Sequence, residues 1–471
     1  WIMGTNPAVS LPDSHAVCQA LAACPLVMVS EVMQETDTSR FAHIRFPALG
    51  WGEKNGTVTN SERRISRQRA FLPAPGEARP DWWIIARIAE QLGYGDAFAW
   101  EHPQEIFCEH AALTAFENNG ERALNLRELA SLSREAWDAL APYQWHAGDF
   151  PQRNLVPVDP SSHGAGVDEL YPLILNTGRI RDQWHTMTRT GKSPRLGSHV
   201  PEPFIDLHPH DALLCGVGEG ELARVSSRWG AMVGRVTHSG GIARGGVFVP
   251  IHWSGPTASD ARVGALVNPV VDPVSGEPEF KHTPVKVEPF VVEWQAFVLS
   301  RTAPQLDALT WWTRVQGEGF LRYEAGGRGK VGGEWARALL GVDDDADWIE
   351  YEDRSAGVYR AAHLVDGRLQ ACVLVAKAGA LPPRDWLGGL FAQEVLGAGE
   401  RAVLLAGRPV QAGADAGPTV CSCFGVGRNT ICAAIREKGL RTAGEVTACL
   451  KAGGNCGSCL PEIGKLLAVP S

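Results

Sequence analysis

The sequence predicts a multidomain α/β protein with a β-barrel in its middle and a small helical metal module at its C-terminus. Three observations predict this. The first 100 residues alternate short apolar strands with helical stretches. From Leu173 onward, short strands follow one another with glycine turns between them. Near the end, a C-x-C pair, Cys421 and Cys423, is separated by 32 residues from a C-x2-C pair, Cys456 and Cys459.

The totals fit this class. A chain of 471 residues has room for about three domains. Charged residues are 21% and hydrophobic residues 44%, an ordinary globular balance. The net charge of −9 argues against a nucleic-acid platform. No apolar run approaches the roughly 18 residues of a membrane span, and the N-terminus does not resemble a secretory signal. The chain starts at Trp1, inside what reads as a strand, so a C-terminal piece of a longer protein is expected.

Residues 1–150 read as a Rossmann-like β-α-β-α-β run. Trp1 to Met3 is a strand stub, Pro12 to Ala23 a helix, Leu26 to Val29 a buried strand, Thr36 to Ala42 helical, and Ile44 to Phe46 a further strand. Such sheets bind ligands at the carboxyl ends of their strands, where Asn6, Ser30 and Glu31 fall. Each is also ordinary loop chemistry, since Asn-Pro forms turns and Ser often follows a strand. Gly50 to Arg64 reads as a polar, glycine-rich loop whose basic cluster, with Arg67 and Arg69, suits an anionic cofactor or a solvated face. Asp81 opens a helix with Ile84, Ile85, Ile88 and Leu92 inward. Residues 101–145 read as helical, and 151–172 as a linker.

Residues 173–290 read as the barrel. Leu173 to Leu175 is a buried strand that ends in Asn176-Thr177-Gly178-Arg179, and the loop beyond holds Trp184, His185, Thr186, Thr188 and Arg189. Glu221 to Arg228 and Ala231 to His238 suit a hairpin, and Val247 to Val249 follows Gly245-Gly246. Residues 291–410 form an α+β segment, with Tyr359 to Ala361, His363 to Val365 and Leu369 to Val375 as strands. Gly326 to Lys330 within it has the wrong spacing for a P-loop and no strand is expected before it. Residues 411–418 read as a Gly/Ala linker.

Residues 419–471 form the metal module. Helices are expected at Asn429 to Lys438, from a capping box at Thr442 to Glu445 onward, and at Ser458 to Leu467, with Leu460, Ile463 and Leu467 inward. Four thiolates fill a [2Fe–2S] cluster, two per iron; they also suit a structural zinc or a disulfide. The tight C-x-C followed by Phe424-Gly425-Val426-Gly427 favours the cluster. So small a core buries little apolar surface, and a metal supplies the missing stability. Cys18, Cys24, Cys108, Cys215, Cys372, Cys432 and Cys449 read as reduced core residues.

The C-terminal module, over about 50 residues from Val420, resembles the bacterioferritin-associated-ferredoxin type of [2Fe–2S] domain, on both cysteine pairs and their spacing. Trp1 to Asp13 (WIMGTNPAVSLPD), Trp51 to Arg67 (WGEKNGTVTNSERRISR) and Leu175 to Gly191 (LNTGRIRDQWHTMTRTG) resemble the molybdopterin oxidoreductases, most of all their assimilatory nitrate reductase branch. Residues 310–410 resemble weakly the C-terminal domain of flavin-linked nitrite and ferredoxin reductases.

The resemblance implies a double-psi barrel that binds a molybdopterin dinucleotide, and a cytoplasmic enzyme that reduces nitrate at a molybdenum bis-guanine-dinucleotide centre. It implies that Asn6, Ser30, Glu31, Lys54 and Asp81 contact one dinucleotide, and Thr177, Gly178, Arg179, Trp184, His185, Thr186, Asn268 and Lys281 the other. Arg189 and Thr188 fall near the implied substrate funnel. Cys421, Cys423, Cys456 and Cys459 would ligate the [2Fe–2S] cluster. The family's [4Fe–4S] cluster and molybdenum ligand would precede Trp1. The implied electron donor is a flavoprotein NAD(P)H-dependent reductase, a ferredoxin or a flavodoxin. Two alternatives stand beside this reading: a related enzyme such as a formate dehydrogenase, and a [2Fe–2S] electron-transfer or iron-sensing module on a non-catalytic scaffold.

Overall fold

The structure, a computed structural model, describes residues 1–145, 157, 164–377, 381–409 and 416–468. Most of the two expected linkers and the last three residues lie outside that set. The chain divides into two compact units, one of residues 1–5 and 21–161, the other of residues 6–20 and 162–471.

In the first unit, β1 (Ile2–Met3), β2 (Met28–Glu31) and β3 (Ile44–Pro47) form a parallel sheet in the order β1-β2-β3. The second strand starts two residues later than expected, so Ser30 and Glu31 are its last residues rather than its loop. The expected helix at Thr36 to Ala42 shrinks to one 3-10 turn, Ser39–Phe41. Thr36 and Ser39 exchange side-chain bonds to each other's backbone N–H, at 2.8 and 3.0 Å, a local alternative that competes with a helix. The stretch read as a loop at Gly50 to Arg64 is also partly ordered. Here β4 (Gly56–Thr59) and β5 (Arg64–Gln68) pair antiparallel, and β6 (Tyr143–Gln144) joins them. The helix Asp81–Gln91 buries Ile84, Ala86 and Ala89, but Leu92 caps its end and is exposed. Residues 101–145 are helical chiefly at Pro103–Ala115.

In the second unit, six strands close a barrel: β7 (Leu173–Gly178), β8 (Phe204–Leu207), β9 (Leu222–Ser226), β10 (Ala231–His238), β11 (Gly246–Pro250) and β12 (Thr283–Pro289). The order is β10-β8-β11-β7-β12-β9, with β9 pairing back onto β10. Alternation along β7 turns Leu173, Leu175 and Thr177 inward. Leu173 and Leu175 join Ile205, Leu207, Val225, Met232, Val247 and Val285 in an apolar interior. Residues 6–20 pack with this unit. Asp13 N–H bonds Val267 O at 3.1 Å, and Gly264 lets the chain pass closely, since a Cβ there would stand 2.2 Å from Val9 O.

The α+β segment is one antiparallel sheet. It comprises β13 (Trp294–Ser300), β14 (Trp311–Gly317), β15 (Phe320–Gly327), β16 (Asp347–Asp353), β17 (Val358–Val365) and β18 (Arg368–Ala376), ordered β14-β15-β13-β18-β17-β16. The two strands expected at 359–365 are one strand with a register shift at His363/Leu364. β15 runs directly into Gly326 and Gly327, so a strand does precede that glycine stretch, contrary to expectation.

The C-terminal module has a two-stranded ribbon, β19 (Thr419–Cys421) and β20 (Val426–Gly427), and helices Arg428–Lys438, Ala443–Leu450 and Leu460–Ala468. The capping box forms: Thr442 Oγ1 accepts Glu445 N–H at 3.2 Å, and Glu445 accepts Thr442 N–H at 3.0 Å. Its core is Val420, Cys421, Ile431, Val446, Ala452, Cys459 and Ile463. Leu460, expected inward, starts its helix and is exposed. Of the cysteines expected in cores, Cys372 is buried, Cys24 is exposed beyond the end of its helix, and Cys18, Cys108, Cys215, Cys432 and Cys449 are half-buried.

Candidate functional site

The loop that leaves β7 is backbone-strained. Asp182, His185 and Met187 all have left-handed φ, at 71°, 42° and 62°. Non-glycine residues hold such angles only where their surroundings impose them. The loop is imposed from within by Thr190 Oγ1, which donates to Gln183 Oε1 at 2.7 Å and accepts Trp184 N–H at 3.2 Å. It is imposed from below by His252. That ring is fully buried; it accepts Ile180 N–H at Nε2 (2.9 Å) and donates from Nδ1 to His185 O (2.6 Å). Burial, despite the bond to His185 O, pushes its pKa below the ordinary imidazole value, and His185 and Arg179 add to the push. Only the neutral ring has the acceptor that Ile180 needs.

The expected dinucleotide residues of this unit fall into two sets. Arg179, Trp184, His185, Arg189 and Lys281 are exposed. Arg179 and Arg189 flank the Trp184 ring, at 5.5 and 5.8 Å from its centroid, and His185 meets it edge-on at 4.8 Å. Partial burial, then Arg179 and Arg189, lower the His185 pKa. Partial burial, then Arg179, lower that of Lys281, whose ammonium donates to Thr177 O. Cations beside an exposed aromatic ring suit a phosphate and a planar heterocycle.

The second set is turned inward. Thr177 is buried in the barrel and donates to Phe280 O at 3.0 Å. Asn268 is fully buried, with its amide donating to Thr283 Oγ1 (3.0 Å) and His282 O (3.1 Å) and its oxygen accepting Val270 N–H (2.9 Å). These two side chains hold the 280–283 segment, which carries Lys281. Gly178 is tight against Phe248, 2.7 Å from where a Cβ would stand. Asn6, assigned from sequence to the other dinucleotide, bonds Thr186 Oγ1 at 3.2 Å, so these two meet. Thr188 is half-buried beside Arg189.

In the first unit, Lys54 Nζ and Asp81 Oδ2 approach to 3.4 Å, both half-exposed. Ser30 accepts the Trp1 indole N–H at 3.0 Å. Glu31 folds back to accept Val32 N–H at 2.8 Å.

In the module the four expected ligands stand as two pairs. Cys423 Sγ lies 3.4 Å from Cys456 Sγ, and the free thiols of Cys421 and Cys459 are hydrogen-bonded to each other. Ser458 bonds Cys456, with Sγ and Oγ 2.9 Å apart, and holds its thiol below the ordinary range. Burial, and then Cys421, push Cys459 up to about 11. Gly425 and Gly457, both with left-handed φ, turn the backbone beside the two pairs. Two thiol pairs offer the two ligands per iron that a [2Fe–2S] cluster needs. The residues present therefore fit the cluster.

Sequence reasoning missed His252, as well as Arg181, Asp182 and His199, which meet the module. A lone His after a buried strand carries no spacing signal, and contacts across 240 residues carry none either.

A closed barrel with a strained cationic loop stands in one unit with a four-thiol helical module, a combination suited to an oxidoreductase, and known families match each part. Residues 1–91 match the molybdopterin oxidoreductase family model, 173–284 the molybdopterin dinucleotide binding domain and 419–469 the BFD-like [2Fe-2S] binding domain. The chain thus carries molybdopterin oxidoreductase and molybdopterin dinucleotide binding domains, with a BFD-like [2Fe–2S] binding domain at its C-terminus.

Among its relatives, the nitrate reductase of Klebsiella oxytoca is 48% identical over 99% of this chain and 55% of that protein. The nitrate reductase of Shewanella frigidimarina is 36% identical over 66% of this chain and 37% of that protein. The alpha subunit of a formate dehydrogenase of Methanocaldococcus jannaschii is 34% identical over 61% of this chain and 42% of that protein. The chain thus spans about half the length, or less, of these relatives.

Proposed function

We propose that this protein takes part in the molybdenum-dependent reduction of nitrate to nitrite, with electrons entering through the C-terminal [2Fe–2S] domain. One observation carries this reading. The likeness to the Klebsiella oxytoca nitrate reductase runs through 99% of the chain, α+β sheet and thiol module included. The likeness to the formate dehydrogenase covers only 61%.

The reaction consumes two electrons and two protons and releases nitrite and water; the molybdenum centre, when bound, supplies the oxygen-atom transfer. The chain's residues bind and orient. Arg179 and Lys281 offer charge-assisted donors to a diphosphate, and Trp184 offers a stacking face. Lys54 and Asp81 suit a phosphate and a guanine edge on the second dinucleotide, with Asn6, Ser30 and Glu31. Arg189, beside Thr188, draws an oxyanion toward the loop. Cys421, Cys423, Cys456 and Cys459 hold the cluster.

An assimilatory role in the cytoplasm belongs to the same proposal, as do a flavoprotein, ferredoxin or flavodoxin donor and a [4Fe–4S] relay. Among the described residues, no helix is long and apolar enough to cross a membrane. Protein purified from its native host should contain molybdenum, guanine and iron, and should oxidise reduced methyl viologen with nitrate. Oxidation of formate with no response to nitrate would favour the formate dehydrogenase reading.

A further inference from the structure

The loop that carries the pterin-facing cations also touches the thiol module. Arg181 Nη2 donates to Val420 O at 2.7 Å and approaches Glu462 at 3.3 Å. Asp182 accepts the hydroxyl of Ser422 at 2.9 Å. Val420 and Ser422 flank the ligand Cys421, and Glu462 lies on the last helix, three residues after Cys459. His199 completes the cluster. Its Nδ1 accepts Arg181 Nε–H at 3.3 Å and lies 3.3 Å from Asp182, and its Nε2 lies 3.2 Å from Glu462. The side chains of Arg181, Asp182 and His199 are only 17%, 11% and 14% exposed, so water screens these bonds poorly.

Asp182 holds its place at φ 71°, an angle an aspartate adopts only at a cost. That angle aims its carboxylate at a residue 240 positions away. Two other edges of the module are left open: Phe424, Cys456 and Leu460 are exposed. Cys421 and Cys459 are the buried pair, and the residues that meet the barrel loop lie beside them in the chain, whereas Cys456 of the other pair is exposed.

We propose that Arg181 and Asp182 are a latch that seats the thiol module on the barrel loop, so that one strained loop positions both the pterin-facing cations and the Cys421/Cys459 edge of the metal centre. The module then rides on the loop as a fixed neighbour, although a Gly/Ala stretch precedes it. The proposal rests on the [2Fe–2S] reading for what the latch positions, but not for the docking itself.

Hydrogen exchange on the intact protein tests the docking. Arg181→Ala should speed exchange ~10-fold or more in peptides from both 177–190 and 419–428, as expected for the loss of a bond to a charged group. The sheet at 294–376 should keep its protection. Arg181→Lys, which keeps the charge but not the fork, should restore part of it. Unchanged protection of 419–428 in Arg181→Ala overturns the latch.

A redox titration followed by electron paramagnetic resonance tests the positioning. Asp182→Asn keeps the acceptor for Ser422 but removes a negative charge beside the centre. The reduced, more negative cluster is then favoured and its midpoint potential rises. An unmoved potential overturns Asp182's role at the centre. Wild-type protein with no iron signal would instead sink the [2Fe–2S] reading, while the exchange experiment still decides the docking.

Discussion

The barrel and the thiol module solve the same problem in opposite ways. The barrel buries seventeen apolar residues in one cluster, none of them among the exposed cations of its loop. The module's cluster has seven buried residues, and two of these are its candidate ligands Cys421 and Cys459. In the barrel, site and scaffold are separate, so the loop can be strained without loss of the fold. In the module, the site is a large part of the scaffold. The difference teaches that a change of chemistry should read as lost function in one region and as lost folding in the other.

The largest expected effect sharpens this directly. Cys459→Ser should abolish iron binding and the protection of residues 419–468 together, because the three helices have 11, 8 and 9 residues and are too short to stand alone. Residues 173–289 should keep their exchange protection. A module that stays folded without iron would break the comparison.

Next in size is Leu175→Ala, a cavity in the middle of the barrel. It should cost about 2–5 kcal/mol, read as a lower denaturation midpoint of the barrel. Iron content should be unchanged.

A smaller effect concerns the loop alone. Arg179→Ala should leave the barrel's denaturation midpoint nearly where it was and weaken retention of the pterin dinucleotide ~10-fold or more, since it removes a charge-assisted donor. Unchanged molybdenum and guanine content would count against the assignment of Arg179.

A fourth prediction comes from His252. The folded ring binds its proton less readily than the unfolded one, so protonation favours the unfolded chain. The stability that the ring contributes at pH 7 is lost as the pH falls through about 6.5 and below. Stability measured at pH 7 and pH 5 should differ less in His252→Asn than in the natural protein. Equal differences would show that His252 does not govern the loop. The smallest effect is expected at Cys432: it is half-buried and outside both thiol pairs, and Cys432→Ser should leave the iron content unaltered.

The parts legible in the sequence were those with local signals. Alternation and glycine turns marked the barrel strands, the capping box at Thr442 marked a helix start, and cysteine spacing marked the module. Hydrophobicity misled where an apolar residue ends an element: Leu92 and Leu460 look inward by periodicity, but both sit at helix termini and are exposed. Gly50 to Arg64 looked like a loop because polar residues fill a small hairpin. Thr177 and Asn268 carried the right chemistry in the motif, yet their side chains are spent on internal bonds that hold the loops. His252, Arg181 and Asp182 were illegible because their roles arise from contacts far apart in sequence. A single buried histidine looks the same in a sequence whether it fixes a loop or fills a core.

The most direct test of the functional account is made on the protein from its native host, loaded with molybdenum and iron. The thiol module is first reduced, and nitrate is then added without oxygen while the paramagnetic signal of the reduced [2Fe–2S] centre is followed. The account predicts that the signal disappears and that one nitrite forms for every two electrons withdrawn. A signal that persists in nitrate, in protein shown to hold its full molybdenum, would contradict it.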